Sequence, residues 1–314
     1  MPDSKPLLSV IIISFNTRQM TLDCLRCLTA ELAGIPAEIW VVDNASKDDS
    51  VEAIRRDFSA VRLIVNETNR GFGAANNQAM TLAEGKFFLL LNSDAFPKPG
   101  SISRLLDEMS RDPSVGMAGP ALINANGERS WSPLSFYSPY QVIASYLWLH
   151  AIRGRILGIR EVEPSPGYVP RDQFMSGACL LLRREVYEKL GGFNERFFFY
   201  GDDADWQFRA HRDWKLLYVP ASLVTHLEGT SGSRDRLKYT LCYHEAKDLF
   251  IRIHYGWLTM IGVRLCVAIG CAMRLVRYTG RLPSMFRGRC DSDFPVRLSW
   301  HLLLKQFRPR TLNR

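Results

Sequence analysis

The chain has 314 residues, of which 46% are hydrophobic, 23% charged and 11% aromatic. This composition is typical of a globular protein, and it excludes a disordered chain, a collagen-like fibre and a small disulfide scaffold. The formal net charge is +8, but residues 251–314 carry 12 Arg or Lys and only two Asp, so the basic excess is C-terminal and favours an anionic partner such as a membrane surface or nucleic acid.

Apolar runs and helical patterns alternate through the first third of the chain. Strands are predicted at 9–15, 38–44, 61–66 and 86–92. A helical pattern follows each of them, ending near residues 32, 57, 83 and 111, and the second helix is predicted to open at Ser46. Four buried strands joined by crossover helices predict an α/β fold, with a parallel sheet covered by helices on both faces.

The middle of the chain is less regular. Residues 131–172 are rich in aromatic residues and proline, which predicts an insertion of loops on the face that carries the site. A strand at 174–182 resumes the sheet, a short helix stops at Gly191 and Gly192, and a further helix is predicted at 202–213. A strand with a loop follows from residue 215 to 229.

Each of the four early strands is followed at once by Asn or Asp. In parallel sheets ligands bind at the carboxyl ends of the strands, where these side chains would lie together. Turn formation explains any one of them equally well, but the whole set favours a ligand site. The residues are Asn16, Asp43, Asn44, Asn66, Asn92 and Asp94.

A second acidic cluster opens the helix predicted at 202–213. Three of its first four residues are Asp, which is more than a favourable interaction with the helix dipole requires. The aromatic run at 197–200 would partly remove these carboxylates from water, which raises a carboxyl pKa toward the range of a general base. The segment NRGFGAANN at 69–77 only partly matches a dinucleotide-binding fingerprint, since it reads GxGxxN and follows the third strand.

A family resemblance is carried by several segments in chain order: SVIIISFN, VVDNAS, NRGFGAANN, LLLNSD, MSGACLLLRREVYEKLGGFNERFFFYGDDADWQFRA and the Thr-His pair at 225–226. Residues 7–230 resemble the family 2 glycosyltransferases with the GT-A fold, especially bacterial rhamnosyltransferases and galactofuranosyltransferases of cell-wall and O-antigen synthesis. The resemblance implies a mostly parallel central sheet and an inverting transfer of a sugar. Rhamnose from dTDP-rhamnose is the first choice of donor.

The resemblance also implies roles for single residues. Asp203 would be the general base, and Asp94 with His226 would hold a divalent cation, Mg²⁺ or Mn²⁺, on the donor diphosphate. Donor contacts are implied for Phe15, Asn16, Asp43, Asn44, Asn69, Gly71, Phe72, Asn76, Asn92 and Ser93. Acceptor contacts are implied for Gly177, Asp202, Asp205 and Trp206.

Residues 236–314 are predicted to form a basic, helical region beside a catalytic domain at 1–235. Only Arg264 and Arg274 interrupt the apolar stretch from Trp257 to Leu275, and a membrane-spanning helix would bury at least one of these charges. An arc of about 140° on a helical wheel contains several arginines, as in helices that lie in a membrane interface. The alternative is a core helix with an exposed arginine stripe. The arginines are Arg252, Arg264, Arg274, Arg277 and Arg281.

These features predict a peripheral enzyme at the cytoplasmic face of a bacterial inner membrane. Its partners would be a nucleotide-sugar donor, a glycan or polyprenyl-diphosphate-linked acceptor and an anionic membrane surface. Nucleic acid is disfavoured because few aromatic residues interleave with the basic ones. Two alternatives stay open: a nicotinamide-dependent oxidoreductase on a doubly wound sheet, and a non-catalytic membrane-associated binding protein with the same fold. Seven scattered cysteines are typical of a reducing cytosol.

Overall fold

The computed structural model describes residues 5–130, 132–147, 166–227, 236–278 and 301–304. The chain divides into two compact units. The first contains Met1–Phe136 and Pro164–Arg234, and the second contains Tyr137–Glu163 and Asp235–Arg314. Part of the segment predicted as an insertion at 131–172 therefore belongs to the second unit, and its residues 131 and 148–165 lie outside the described residues.

The first part of the chain alternates strand and helix. The strands are β1 (Leu8–Ser14), β2 (Ala37–Asp43), β3 (Arg62–Val65), β4 (Phe87–Asn92), β5 (Ala95–Pro97) and β6 (Val115–Ile123). The helices between them are α1 (Arg18–Glu31), α2 (Ser50–Asp57), α3 (Phe72–Leu82) and α4 (Ser101–Arg111).

Further strands and helices follow β6 in the described part of the chain. In chain order they are β7 (Leu134–Ser135), α5 (Pro139–Tyr146), β8 (Gly167–Tyr168), β9 (Gln173–Phe174), β10 (Cys179–Arg183), α6 (Arg184–Leu190), α7 (Asp202–Ala210), β11 (Lys215–His226), α8 (Arg236–Tyr255) and α9 (Trp257–Tyr278).

The central sheet is mixed. Its strand order is β3-β2-β1-β4-β10-β6-β11-β5, with β8 paired to β11. The first four strands are parallel, as predicted, but β10 runs antiparallel to both β4 and β6. The expectation of a mostly parallel sheet thus holds for one half, and the return of β10 makes the other half mixed.

The register brings the predicted site residues to one edge. Ser14 at the end of β1 pairs with Asp43 of β2, and Ile13 pairs with Asn92 of β4. The three strands therefore end level with one another. Their terminal polar side chains share the carboxyl edge of the sheet, where parallel sheets bind ligands.

The sheet is buried on both faces. Side chains alternate along β1, so Val10 and Ile12 lie in one apolar cluster and Ile11 lies in the other. Trp206 of α7 is fully buried in the second cluster. This packing holds α7 against the sheet.

The second unit is a helical cluster. Apolar side chains of α5, α8 and α9 form its core, including Val142, Tyr146, Ile251, Val263 and Cys271. Among the described residues, one helical segment, Trp257–Val276, is long and apolar enough to cross a membrane, with a mean hydropathy of 1.7. Buried helices of soluble proteins meet the same criterion, so length and composition alone do not decide its role.

Candidate active site

The end of β2 offers a buried carboxylate beside a tight loop. Asp43 is 1% exposed, and its Oδ1 accepts a hydrogen bond of 2.9 Å from the amide of Ser46. Its Oδ2 is buried and has no partner among the described residues. Asn16, in the left-handed region with φ 52°, closes the loop by accepting from the amide of Lys47 at 2.8 Å. The free oxygen of Asp43 can accept an N–H group of a ligand.

Loop formation also explains why α2 begins later than predicted. Ser46 does not open the helix, because its Oγ accepts from the amide of Asn16 at 2.9 Å. Asp49 lies in the left-handed region with φ 57°, and the helix starts only at Ser50. Phe15, beside this loop in sequence, is 42% exposed.

The side chain of Asn44 is fully hydrogen-bonded within the protein. Its Nδ2 donates to Oδ1 of Asn69 at 3.0 Å and to the carbonyl of Gly71 at 3.2 Å. Its Oδ1 accepts from the amide of Arg70 and from Nδ2 of Asn66. These contacts use both donors and both acceptor positions of the amide. Asn44 and Asn69 thus position the loop at 66–71, and the donor contacts implied for them stay predictions.

The start of α3 explains the near-match to a dinucleotide fingerprint. Gly71 has φ +85°, and a Cβ there would lie 2.7 Å from the carbonyl oxygen of Phe198. Only glycine fits this close approach. Phe72 packs edge-on against Phe193, and the buried Asn76 donates to the carbonyl of Phe72 at 3.0 Å. The glycines of this segment therefore serve close packing against the residues that precede α7.

The ends of β4 and β11 form a small polar cluster. Oδ1 of Asp94 lies 3.3 Å from Nε2 of His226, and Nδ2 of Asn92 lies 3.4 Å from the same nitrogen. Nδ1 of His226 is buried and has no partner among the described residues. Ser93 is held by Thr17 through their hydroxyl oxygens at 3.1 Å. The register of β5 and β11, which pairs His226 with Ala95, sets this geometry.

This cluster fits a divalent cation with few protein ligands. The described residues contain no group of three or more His, Cys, Asp and Glu side chains that could hold a metal. Mg²⁺ and Mn²⁺ need no such cage, because substrate phosphates and water complete their coordination. Asp94 and Nε2 of His226, which face each other, are a suitable donor set together with the amide oxygen of Asn92 as a neutral ligand.

Asp203 lies in the first turn of α7 with both carboxylate oxygens held. Oδ2 accepts from the amide of Gly177 at 3.0 Å, and Oδ1 accepts from the amide of Ala204 at 2.8 Å. A Cβ at Gly177 would lie 3.0 Å from that of Asp203, so a glycine is needed for the contact. Burial raises the pKa of Asp203, and the backbone hydrogen bonds oppose the rise.

Asp202 adds a second buried carboxylate. It is 4% exposed, its Oδ1 accepts from the amide of Asp203 at 3.1 Å, and its Oδ2 has no partner among the described residues. Burial raises the pKa of Asp202, and the neighbouring charge of Asp203 raises it further. The two residues form a coupled pair that gains protons more readily than free aspartates.

The other two predicted acceptor residues lie within the packing of α7. Asp205 is 1% exposed and pairs with Arg209 at 3.0 Å. Trp206 is fully buried, with its ring 4.6 Å from that of Phe193. This placement indicates that both side chains fix the helix rather than face a ligand.

Sequence reasoning missed one positioning residue, Gln207. It is fully buried, its Oε1 accepts from the amide of Met175 at 2.8 Å, and its Nε2 donates to the carbonyl of Met175 at 2.7 Å. These two hydrogen bonds fix the segment between β9 and β10 that presents the amide of Gly177 to Asp203. A polar residue between Trp206 and Phe208 was the available signal.

Comparison with known proteins shows the family of the chain. The family model described as glycosyl transferase family 2 matches residues 9–191. The chain is 30% identical to the N-acetylglucosaminyl-diphospho-decaprenol L-rhamnosyltransferase of Mycobacterium tuberculosis, over 71% of this chain and 77% of that protein. It is 26% identical to the O-antigen biosynthesis protein RfbC of Myxococcus xanthus, over 72% of this chain and 18% of that protein.

Solved structures show the same fold. The mannosyltransferase PcManGT of Pyrobaculum calidifontis, in complex with GDP-Man and Mn²⁺, has a TM-score of 0.51 at 16% identity, covering 96% of this chain and 86% of its own. Residues 1–349 of S. aureus TarS give a TM-score of 0.54 at 14% identity, covering 96% and 88%. The family match and the 30% identical relative exclude the alternatives of an oxidoreductase and a non-catalytic binding protein. The chain is an enzyme with the GT-A fold and belongs to glycosyl transferase family 2.

Proposed function

We propose that this glycosyltransferase is an inverting, cation-dependent rhamnosyltransferase. It would move rhamnose from dTDP-rhamnose to a polyprenyl-diphosphate-linked acceptor in the synthesis of a bacterial cell-envelope glycan. The observation that carries the chemistry is the half-buried carboxylate of Asp203, held through both oxygens at the start of α7. The relationship to a rhamnosyltransferase that acts on a diphospho-decaprenol acceptor supports the choice of substrates.

Asp203 acts as the general base. An acceptor hydroxyl gives its proton to the carboxylate while its oxygen attacks the anomeric carbon, and the bond from that carbon to the diphosphate oxygen breaks with its electron pair. Attack opposite the departing diphosphate inverts the anomeric configuration. Because burial raises the pKa of Asp203, its carboxylate is a stronger base than a solvent-exposed one.

The donor binds along the carboxyl edge of the sheet. Oδ2 of Asp43 accepts an N–H of the nucleotide base, and the loop at 66–71, fixed by Asn44, shapes the floor of the site. Asp94, His226 and Asn92 would hold a divalent cation. When bound, that cation supplies positive charge to the diphosphate leaving group.

The proposed acceptor places the enzyme at a membrane. A polyprenyl chain stays in the bilayer, and nucleotide sugars are cytosolic, so the enzyme would work as a peripheral protein on the cytoplasmic face of the inner membrane. The 12 basic residues within 251–314 support contact with an anionic surface.

A direct test offers the purified chain dTDP-rhamnose, UDP-sugars or GDP-sugars with a synthetic N-acetylglucosaminyl-diphospho-lipid, with Mn²⁺ or with chelator. We expect a product heavier by one rhamnose only from dTDP-rhamnose and only with the cation, and an inverted anomeric centre by NMR. Equal transfer from another nucleotide sugar, transfer unaffected by chelator, or a retained configuration would each contradict part of the proposal.

A further inference from the structure

Helix α9 presents a row of large apolar side chains to the outside. We call this row the apolar stripe: its members are 38–69% exposed. At about 100° per residue they fall within an arc of about 80° on one side of the helix. Exposed apolar surface of this extent marks an interaction site in soluble proteins. The stripe consists of Leu258, Ile261, Leu265, Ile269 and Val276.

The other side of α9 is packed within the second unit. Val263, Val267 and Cys271 are buried in the core shared with α5 and α8. Arg264 and Arg274 fall on this packed side by the same angular spacing. Arg274 donates from Nη2 to the carbonyl of Ser145 at 3.1 Å, and its guanidinium lies 5.0 Å from the ring centre of Tyr146.

The sequence left open a core helix with an exposed arginine stripe as the alternative to an interfacial helix. The orientation of α9 differs from that alternative. Two of its arginines face the protein, while Arg281 and the side chain of Arg277 lie outside the described residues. The side of α9 left to solvent is the apolar one.

We propose that the apolar stripe inserts into the interface of an anionic lipid bilayer, with the axis of α9 parallel to the membrane. The inference rests on the proposed function only for its choice of bilayer, the one that carries the lipid-linked acceptor. Trp257, the first residue of α9, is 60% exposed, and Tyr255, the last residue of α8, is 38% exposed; both residue types are enriched at the boundary between lipid and water.

The packing of α9 decides between lying on the membrane and spanning it. A Cβ at Gly270 would lie 2.6 Å from the carbonyl oxygen of Tyr146, so the backbones of α9 and α5 are in direct contact. Helix α8, packed on the same side, carries Glu245, Lys247 and Asp248. A spanning α9 would carry these charges into hydrocarbon, which is strongly unfavourable. An in-plane helix immerses the stripe alone.

Charge favours lipid over a second copy of the chain. Residues 251–314 carry 12 basic and two acidic residues in the sequence, and such a strongly basic region opposes self-association and favours an anionic partner. An anionic lipid surface complements the same charges, with a contribution that salt screens.

The test is vesicle co-sedimentation of the full chain. Vesicles of phosphatidylcholine are compared with equimolar phosphatidylcholine and phosphatidylglycerol, at low and high salt. The variants are Leu265→Gln and the triple variant that adds Leu258→Gln and Ile269→Gln. Leu82→Gln is the matched control, because Leu82 is also helical and is 54% exposed, the same fraction as Leu265. Circular dichroism checks the fold of each variant.

We expect the wild type to prefer the anionic vesicles, with binding that weakens in high salt but persists. Each apolar side chain removed from lipid lowers the partition coefficient about tenfold, so the triple variant should lose about 1,000-fold while Leu82→Gln binds as the wild type does. Wild-type-like binding by the triple variant, or no vesicle binding by the wild type, would overturn the inference. So would a wild-type dimer that the triple variant converts to a monomer in analytical ultracentrifugation.

Rhamnose transfer to a short water-soluble acceptor separates this inference from the proposed function. The triple variant should keep the wild-type rate, because its substitutions leave the carboxylates untouched. A wild type that binds vesicles as expected but transfers no rhamnose would refute the proposed function without contradicting the inference about the apolar stripe. Normal rhamnose transfer without vesicle binding would refute the membrane inference and leave the proposed function intact.

Discussion

Replacing Asp203 with Asn removes the proposed base while keeping the shape of the side chain. The structure predicts a local consequence as well. Both oxygens of Asp203 accept backbone N–H groups, from Gly177 and Ala204, so the new amide nitrogen must face one of these donors. Such a mismatch costs about 1–3 kcal/mol, but the variant also removes a buried negative charge, which offsets part of it. We therefore expect the midpoint of thermal unfolding to change by no more than about 5 °C.

The catalytic effect should be much larger than the structural one. A positioned general base contributes about 100-fold to 10,000-fold, so kcat should fall at least about 100-fold, or about 2.7 kcal/mol in activation free energy. Donor affinity should stay unchanged, because Asp43 and the Asp94 cluster belong to other strands.

Asp202→Asn is the matched control. The unpartnered Oδ2 of Asp202 leaves room for an amide nitrogen without a donor facing it among the described residues, and the residue is adjacent to Asp203 in the same helical turn. Turnover is followed by release of nucleoside diphosphate, and donor binding by calorimetry. We expect the control to stay within about tenfold of the wild type. A near-normal Asp203→Asn enzyme, or an Asp202→Asn enzyme as impaired as Asp203→Asn, would refute the assignment of the base.

Three further predictions follow from the same site. Asp94→Ala should abolish the response of activity to Mn²⁺, measured by metal titration, since Asn92 supplies no negative charge; an unchanged titration would place the cation elsewhere. Gly71→Ala should lower the free energy of unfolding by roughly 2 kcal/mol or more and should also weaken donor binding, because the new Cβ meets the backbone of Phe198. Gly127→Ala, where φ is also positive but the space is open, should lower stability only. Equal donor affinity in the two variants would contradict this prediction. Activity requires ionised Asp203, whose raised pKa places the acid limb of the kcat/KM profile above the usual range of Asp, as a pH series would show.

Much of the fold could be predicted because its strands are buried on both faces. Continuous apolar runs such as Phe87–Asn92 indicate parallel strands without knowledge of their partners. Strand β6 was missed because its sequence, VGMAGPALI, contains two glycines and a proline. Those glycines serve tertiary contact: a Cβ at Gly116 would lie 2.7 Å from Trp214, and one at Gly119 would lie 2.7 Å from Met175. Sequence patterns do not reveal such contacts.

The candidate site was predictable by position but less so by role. The common end of β1, β2 and β4 follows from topology, and it brings Asp43, Asn92 and Asp94 to one edge. The partners of each side chain depend on loops distant in sequence, so the commitment of Asn44 to the loop at 66–71 could not be foreseen. The same limit applies to α9, because a helical wheel separates apolar and basic arcs without showing which of them faces the protein.

The pair of carboxylates at the start of α7 lowers the stability of the fold as pH rises. Burial raises the pKa of both Asp202 and Asp203 above the value expected in the unfolded chain, so the folded state binds more protons than the unfolded state over the intervening pH range. Stability contributed by this pair is therefore present in acid and is lost as pH rises through the folded pKa. A favourable helix N-terminus needs only one exposed acidic residue and no such burial. The arrangement therefore favours a strong base at the expense of stability.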